Sequence, residues 1–147
     1  MLELMTIGYE QTSLAAAVDA LRAADVELLV DVRAIAASRR AGFAKRLLSA
    51  GVEAAGISYL HLRGLGTPRE GRLAVRRGRP AEMRPIFEAH FTTAEAQHDY
   101  AVLQSLVSSG RRVCLLCLER DPTHCHRTII AEHLEHDLTV TVRHLIV

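Results

Sequence analysis

Apolar residues fall in two rhythms along this chain. Short apolar-rich runs at Leu2–Ile7, Val26–Val32, Ile57–Leu62 and Val113–Leu118 read as strands, the middle and last of them covered on both faces. Between the runs the spacing becomes helical. Leu14, Val18 and Leu21 make one face, Phe43, Leu47, Leu48 and Val52 a second, and Ala96, Tyr100, Leu103 and Val107 a third. Ile129, Ile130 and Leu134 make a fourth, and Leu138–Val147 is β-rich and closes the sheet. Buried strands alternating with helices mean βα units. The fold expected is α/β: a single three-layer domain over residues 1–147, with a mainly parallel sheet of about five strands and helices on both faces.

Local signals set the boundaries. Thr12 or Ser13 caps the first helix and Asp25 breaks it. Gly51 stands inside the second helical face as a point of interruption, and Gly56 suits its C-terminal end. A short helix is expected over Ala81–His90, and Thr92 with Glu95 forms a capping box for the next, which Gly110 ends. Asp121-Pro122 is a helix start, with Asp121 as N-cap and Pro122 in the first turn.

The last strand–turn–helix, VCLLCLERDPTHCHRTIIAEHL, gathers the chemistry. Cys117, Glu119, His124, Cys125, His126 and Arg127 fall within eleven residues, at a strand's carboxyl end and a helix N-terminus. The other strand ends carry Gly8, Tyr9, Asp31, Arg33 and His61, and a parallel sheet sets all of these along one edge. Cys114 and Cys117, three apart in a strand, face opposite sides, so Cys114 reads as a small core hydrophobe. A thiol beside His126 and Arg127 at a helix start has a depressed pKa, which favours Cys125 as a nucleophile. Arg127 is placed to hold an anion bidentately. His61 reads either as a site residue or as a hydrogen-bonded core histidine, His133 and His136 are expected on an exposed helix face, and His90 and His98 have no partners evident from sequence.

Composition changes this picture little. The chain of 147 residues is 49% hydrophobic and 24% charged, with a net charge of +1, which excludes non-specific nucleic-acid binding by the whole surface. Arginines are uneven, however: Arg63, Arg69, Arg72, Arg76, Arg77, Arg79 and Arg84 crowd a segment read as a surface loop, fit for a phosphate-bearing partner or merely solvated. The 3 cysteines, without disulfide spacing, fit a reducing cytoplasm. MLELMTIGYE lacks the features of a signal peptide, and no apolar run approaches a membrane span.

Six segments taken together resemble a family. They are TIG at Thr6–Gly8, LVDVR at Leu29–Arg33, SRRAGF at Ser38–Phe43, YLHLRGLG at Tyr59–Gly66, LLCLERDPTHCHR at Leu115–Arg127 and VRHL at Val142–Leu145. In this order they resemble the bacterial domain of unknown function family 488 (DUF488). Tyr9-Glu10 stands where that family usually has His-Ser, and Thr67 where it doubles a glycine. The resemblance implies a compact α/β domain and brings no activity. A more distant likeness is to rhodanese-type sulfurtransferases, in which Cys117 would be the persulfide carrier.

The function expected is an enzyme with Cys125 or Cys117 as nucleophile. Glu119, His126 and Asp31 join them as catalytic groups, and Arg33, His61, Arg127, Gly8 and Tyr9 bind substrate. The substrate expected is a phosphate-bearing small molecule, a nucleotide or nucleic acid, or a sulfur compound. Two alternatives stay open. One is a metal site of Cys117, Cys125 and His124 or His126, completed by His61 or Glu119. The other is a non-catalytic nucleotide or nucleic-acid module. No cofactor is named by the sequence, and neither a Walker A motif nor G-x-G-x-x-G is present.

Overall fold

The computed structural model describes residues 2–147. Five strands, β1 (Leu2–Gly8), β2 (Leu28–Asp31), β3 (Ser58–His61), β4 (Val113–Cys117) and β5 (Val140–Leu145), form one sheet. Their order is β3-β2-β4-β1-β5, and every neighbouring pair is parallel. The α/β reading therefore holds: all five carboxyl ends share one edge.

Two apolar layers sandwich the sheet, because alternate residues of each strand point to opposite faces. Helices α1 (Leu14–Ala23) and α2 (Lys45–Ala54) cover Met5, Ile7, Leu29, Cys114 and Leu116. Helices α3 (Arg69–Arg76), α4 (Pro80–Phe91), α5 (Ala94–Ser108) and α6 (His126–Asp137) cover Leu4, Val30, Leu115 and Cys117. Cys114 and Cys117 thus lie on opposite faces, as their spacing requires.

Of the two N-cap candidates Ser13 caps α1, its hydroxyl accepting from the Ala16 N–H at 3.1 Å. Several other local expectations are corrected. Leu47 is exposed, and the inner face of α2 is carried by Leu48 and Val52. Gly51 does not interrupt that helix; a Cβ there would sit 2.8 Å from Leu14 Cδ2, so the glycine lets α1 and α2 approach. Thr93, not Thr92, caps α5. Asp121 caps only a turn of 3₁₀ helix at Pro122–His124, and Cys125 is the N-cap residue of α6.

The largest correction concerns the arginine segment, which is not a loop. Arg69–Arg76 is helical, with Gly71 and Ala74 buried, Arg72 half-buried and Arg69 and Arg76 exposed. Arg79 and Arg84 pair with Glu82 and Glu132, and Arg63 pairs with Glu95. Arg72 and Arg76, four apart and so on one helix face, turn toward the strand ends. No helix among the described residues is long and apolar enough to cross a membrane.

Candidate functional site

The central strand β4 ends at Cys117, between the ends of β1 and β2. There a cleft of about 500 Å³ opens. Cys117, His126, Glu119 and Tyr9 line it from the sheet side, and Arg72 and Arg76 from α3. Ile35 and Leu118, two of the exposed large apolar residues, lie on its lining as well.

Two thiols and an imidazole meet at the cleft floor. His126 Nδ1 lies 3.7 Å from the Cys117 sulfur and 3.9 Å from the Cys125 sulfur. The other ring nitrogen, Nε2, donates to the Val32 carbonyl at 2.8 Å. That bond fixes the ring and leaves Nδ1 aimed at the sulfurs. Phe87 packs against the ring at 5.3 Å between centroids. Cys117 is 6% exposed and lines the cleft; Cys125 is 1% exposed and is absent from the lining.

These groups share their protons as a set. The Cys117 thiol is pushed well above its ordinary range, first because its S–H is given to Cys125, then by burial and by the negative charges of Cys125 and Glu119. Burial opposes charge on Cys125, yet the hydrogen bonds from Cys117 and His126 and the charges of His126 and Arg127 outweigh it and hold that thiol well below its ordinary range. Burial also opposes charge on His126, and the Cys125 thiolate again outweighs it, raising the imidazole. Glu119 is pushed up to about 7, by burial and then by the charge of Cys125.

The remaining sequence candidates are placed differently from one another. Arg127 is fully buried and does not face the cleft. Its Nε donates to Thr6 Oγ1 at 3.1 Å, and its terminal nitrogens donate to the Glu119 and Arg120 carbonyls. It therefore holds the loop after β4 and lends positive charge, rather than gripping an anion bidentately. Gly8 also serves that loop: a Cβ there would stand 1.8 Å from the Glu119 carbonyl oxygen, so only glycine lets β1 end so close.

Asp31 and Arg33 form a closed set. Arg33 Nε and Nη2 donate to the two Asp31 oxygens at 2.9 and 2.7 Å, and Tyr59 donates to Oδ2 at 2.5 Å. Arg33 Nη1 reaches the Phe43 carbonyl at 2.7 Å and the Tyr9 hydroxyl at 3.2 Å. Tyr9 stacks on Phe43 with centroids 4.5 Å apart. Arg33 and Tyr9 touch the cleft wall, whereas Asp31 is fully buried behind them. His61 is not on the cleft: its Nε2 donates to the Arg33 carbonyl at 2.7 Å. His124 is exposed and pairs with Asp121.

Two groups of partners escaped the sequence. Arg72 and Arg76 were hidden in the arginine-rich segment, although their spacing of four was a usable signal. His133, read as exposed, stacks on Phe91 at 4.1 Å and pairs with Glu88 at 2.7 Å. His90 donates to the Gly64 carbonyl at 2.8 Å.

The rhodanese likeness meets a different loop. Between Cys117 and Cys125, the Arg120, Thr123, His124 and Cys125 N–H groups go to Glu10, Asp121 and Pro122. They do not form a ring of donors around a strand-end sulfur.

No curated protein and no solved structure matches the chain. The family model described as domain of unknown function DUF488 matches residues 13–134, most of the chain, and includes β2, β4 and every thiol and imidazole of the cleft floor. The chain thus belongs to the DUF488 family.

Proposed function

We propose that this protein is a cytoplasmic enzyme that acts on a phosphate-bearing ligand, a nucleotide or a nucleic-acid end, in the strand-end cleft. One observation carries the reading: a floor of two thiols and an imidazole faces a wall bearing Arg72 and Arg76. Arg76 has no acidic partner among the described residues, and Arg72 spends one nitrogen on the Thr67 carbonyl at 2.8 Å. Both keep donors for phosphate oxygens. Ile35 and Leu118 offer apolar surface for the rest of the ligand. Glu119, near neutrality in pKa and on the lining, is suited to carry a proton. Three free, buried cysteines accord with a reducing compartment.

The test is thermal melting of the protein with a panel of inorganic phosphate, pyrophosphate, nucleoside mono-, di- and triphosphates and short oligonucleotides, followed by product analysis of whatever binds. A ligand that raises the melting temperature in the native protein and loses that effect in Arg72→Ala and Arg76→Ala supports the reading. If none of the panel binds, or if binding ignores both substitutions, the reading is wrong.

A further inference from the structure

Cys117, Cys125 and His126 are buried and each offers one ligand atom, and the three atoms all lie within 4.8 Å of one another. We infer that they form a site for a single thiophilic divalent cation, zinc in the first instance, with one coordination position open to the cleft. This rests on the reading of the same cluster as the reacting centre.

Geometry is the first argument. Around tetrahedral zinc, with bonds of about 2.3 Å to sulfur and about 2.0 Å to nitrogen, ligand atoms stand roughly 3.5–3.8 Å apart. The sulfur–nitrogen separations here are 3.7 and 3.9 Å and no pair exceeds 4.8 Å, so a contraction of at most about 1 Å brings the three atoms to the distances an ion would hold.

The second argument is the ring. A metal-binding imidazole is commonly fixed by a hydrogen bond from its other nitrogen. His126 has that bond, Nε2 to the Val32 carbonyl at 2.8 Å, and its free nitrogen addresses both sulfurs at once. A residue from β2's end thereby orients a ligand on α6, which ties the site to the sheet.

The third argument is exposure. A nucleophilic thiol must reach its substrate, yet Cys125 is buried and off the lining. As one of three cation ligands it needs no such access. Two thiolates and a dication sum to zero, so the ion enters the buried floor without leaving net charge there. Soft sulfur donors favour zinc over magnesium or calcium. Cys117 and His126 line the cleft while Cys125 does not, which puts the open side toward the cavity, where Glu119 also stands. Three protein ligands with an open position is the arrangement of catalytic rather than structural zinc sites. The Cys-x7-Cys-His spacing follows from the fold: one ligand ends a strand, and the other two begin the helix after it.

The experiment is elemental analysis of untagged, natively purified protein, followed by cobalt(II) titration of chelator-stripped protein. The expected result is one zinc per chain and a thiolate-to-cobalt charge-transfer band saturating at one equivalent. Metal content should fall at least tenfold in Cys117→Ser, Cys125→Ser and His126→Ala, and should stay unchanged in Cys114→Ala, whose thiol lies across the sheet. If a ligand substitution unfolds the chain, the wild-type cobalt spectrum still decides. Zinc-free protein with no charge-transfer band overturns the inference, as does equal metal loss in Cys114→Ala. A bound ion with no phosphate ligand retained in the cleft upholds the metal site and defeats the enzyme reading. Phosphate ligands that bind through Arg76 in a chain unable to take cobalt do the reverse.

Discussion

The carboxyl ends of β2 and β4 lie side by side, and each buries a knot of polar groups. At β2, Asp31 and Arg33 are nearly saturated. Both carboxylate oxygens accept from the guanidinium, Tyr59 adds a donor, and the remaining guanidinium nitrogen goes to Tyr9 and Phe43. At β4, two sulfurs and a ring nitrogen meet at 3.7 and 3.9 Å, and thiols are weak hydrogen-bond partners. A knot with nearly every donor spent on its own members has little left for a ligand and serves to hold the strand ends. One with spare capacity is where a ligand or ion gains most. Residue type does not separate the two, since both are strand-end polar clusters; the accounting of donors and acceptors does.

This contrast is open to attack. The largest effect is expected from Asp31→Ala, which strands a buried guanidinium and should cost about 3–5 kcal/mol in denaturant unfolding. A cost below about 1 kcal/mol would abolish the distinction. Next, Arg127→Met leaves the Thr6 hydroxyl and two carbonyls without their donor, and about 2–4 kcal/mol should be lost. If that variant instead kept its stability while ligand affinity fell, Arg127 would belong to the site and not to its support.

Tyr59→Phe removes one donor to Asp31 and should cost about 1–2 kcal/mol at neutral pH. It also carries a pH signature. Burial, then Asp31, raises the Tyr59 phenol, and burial with Asp137 raises that of Tyr100. The folded chain therefore keeps these protons longer than the unfolded chain does. The associated stability is complete below about pH 10 and is lost as pH climbs above it. Tyr59→Phe should flatten that alkaline decline in melting temperature, and an unchanged slope would remove Tyr59 from the account. Smallest in stability is Arg76→Ala, within about 0.5 kcal/mol of the parent because the side chain is exposed and unpaired. Its effect belongs to ligand binding alone.

What was readable beforehand divides along the same line. Apolar runs and helical spacing exposed the strands, the alternation and the shared edge, because burial of whole faces is written in residue order. Cys117, His126, Glu119 and Tyr9 were correctly sent to that edge and do line one cleft. Gly8, His61 and Arg127 also lie at the strand ends, yet their contacts are with backbone carbonyls. Which way a long side chain turns depends on acceptors contributed by distant segments, and that is settled only by packing. The α3 helix was missed because its apolar residues, Leu73, Ala74 and Val75, run consecutively among arginines instead of at helical spacing, and its burial rests on Gly71 and Ala74, which give little hydrophobic signal.

Strand order has one more consequence. β4 lies between β1 and β2, so those two share no hydrogen bonds of their own. Everything before Val113 leaves the ribosome as two strand groups with facing, unpaired edges, the kind of surface that invites mispairing. Joining them waits for a segment far along the chain, and such distant parallel pairing is slow. The segment that joins β1 to β2 and β3 is also the one that brings Cys117, Cys125 and His126. A nascent chain therefore joins the two parts of its sheet and gathers these thiols at the same stage, and a half-made molecule never displays them assembled.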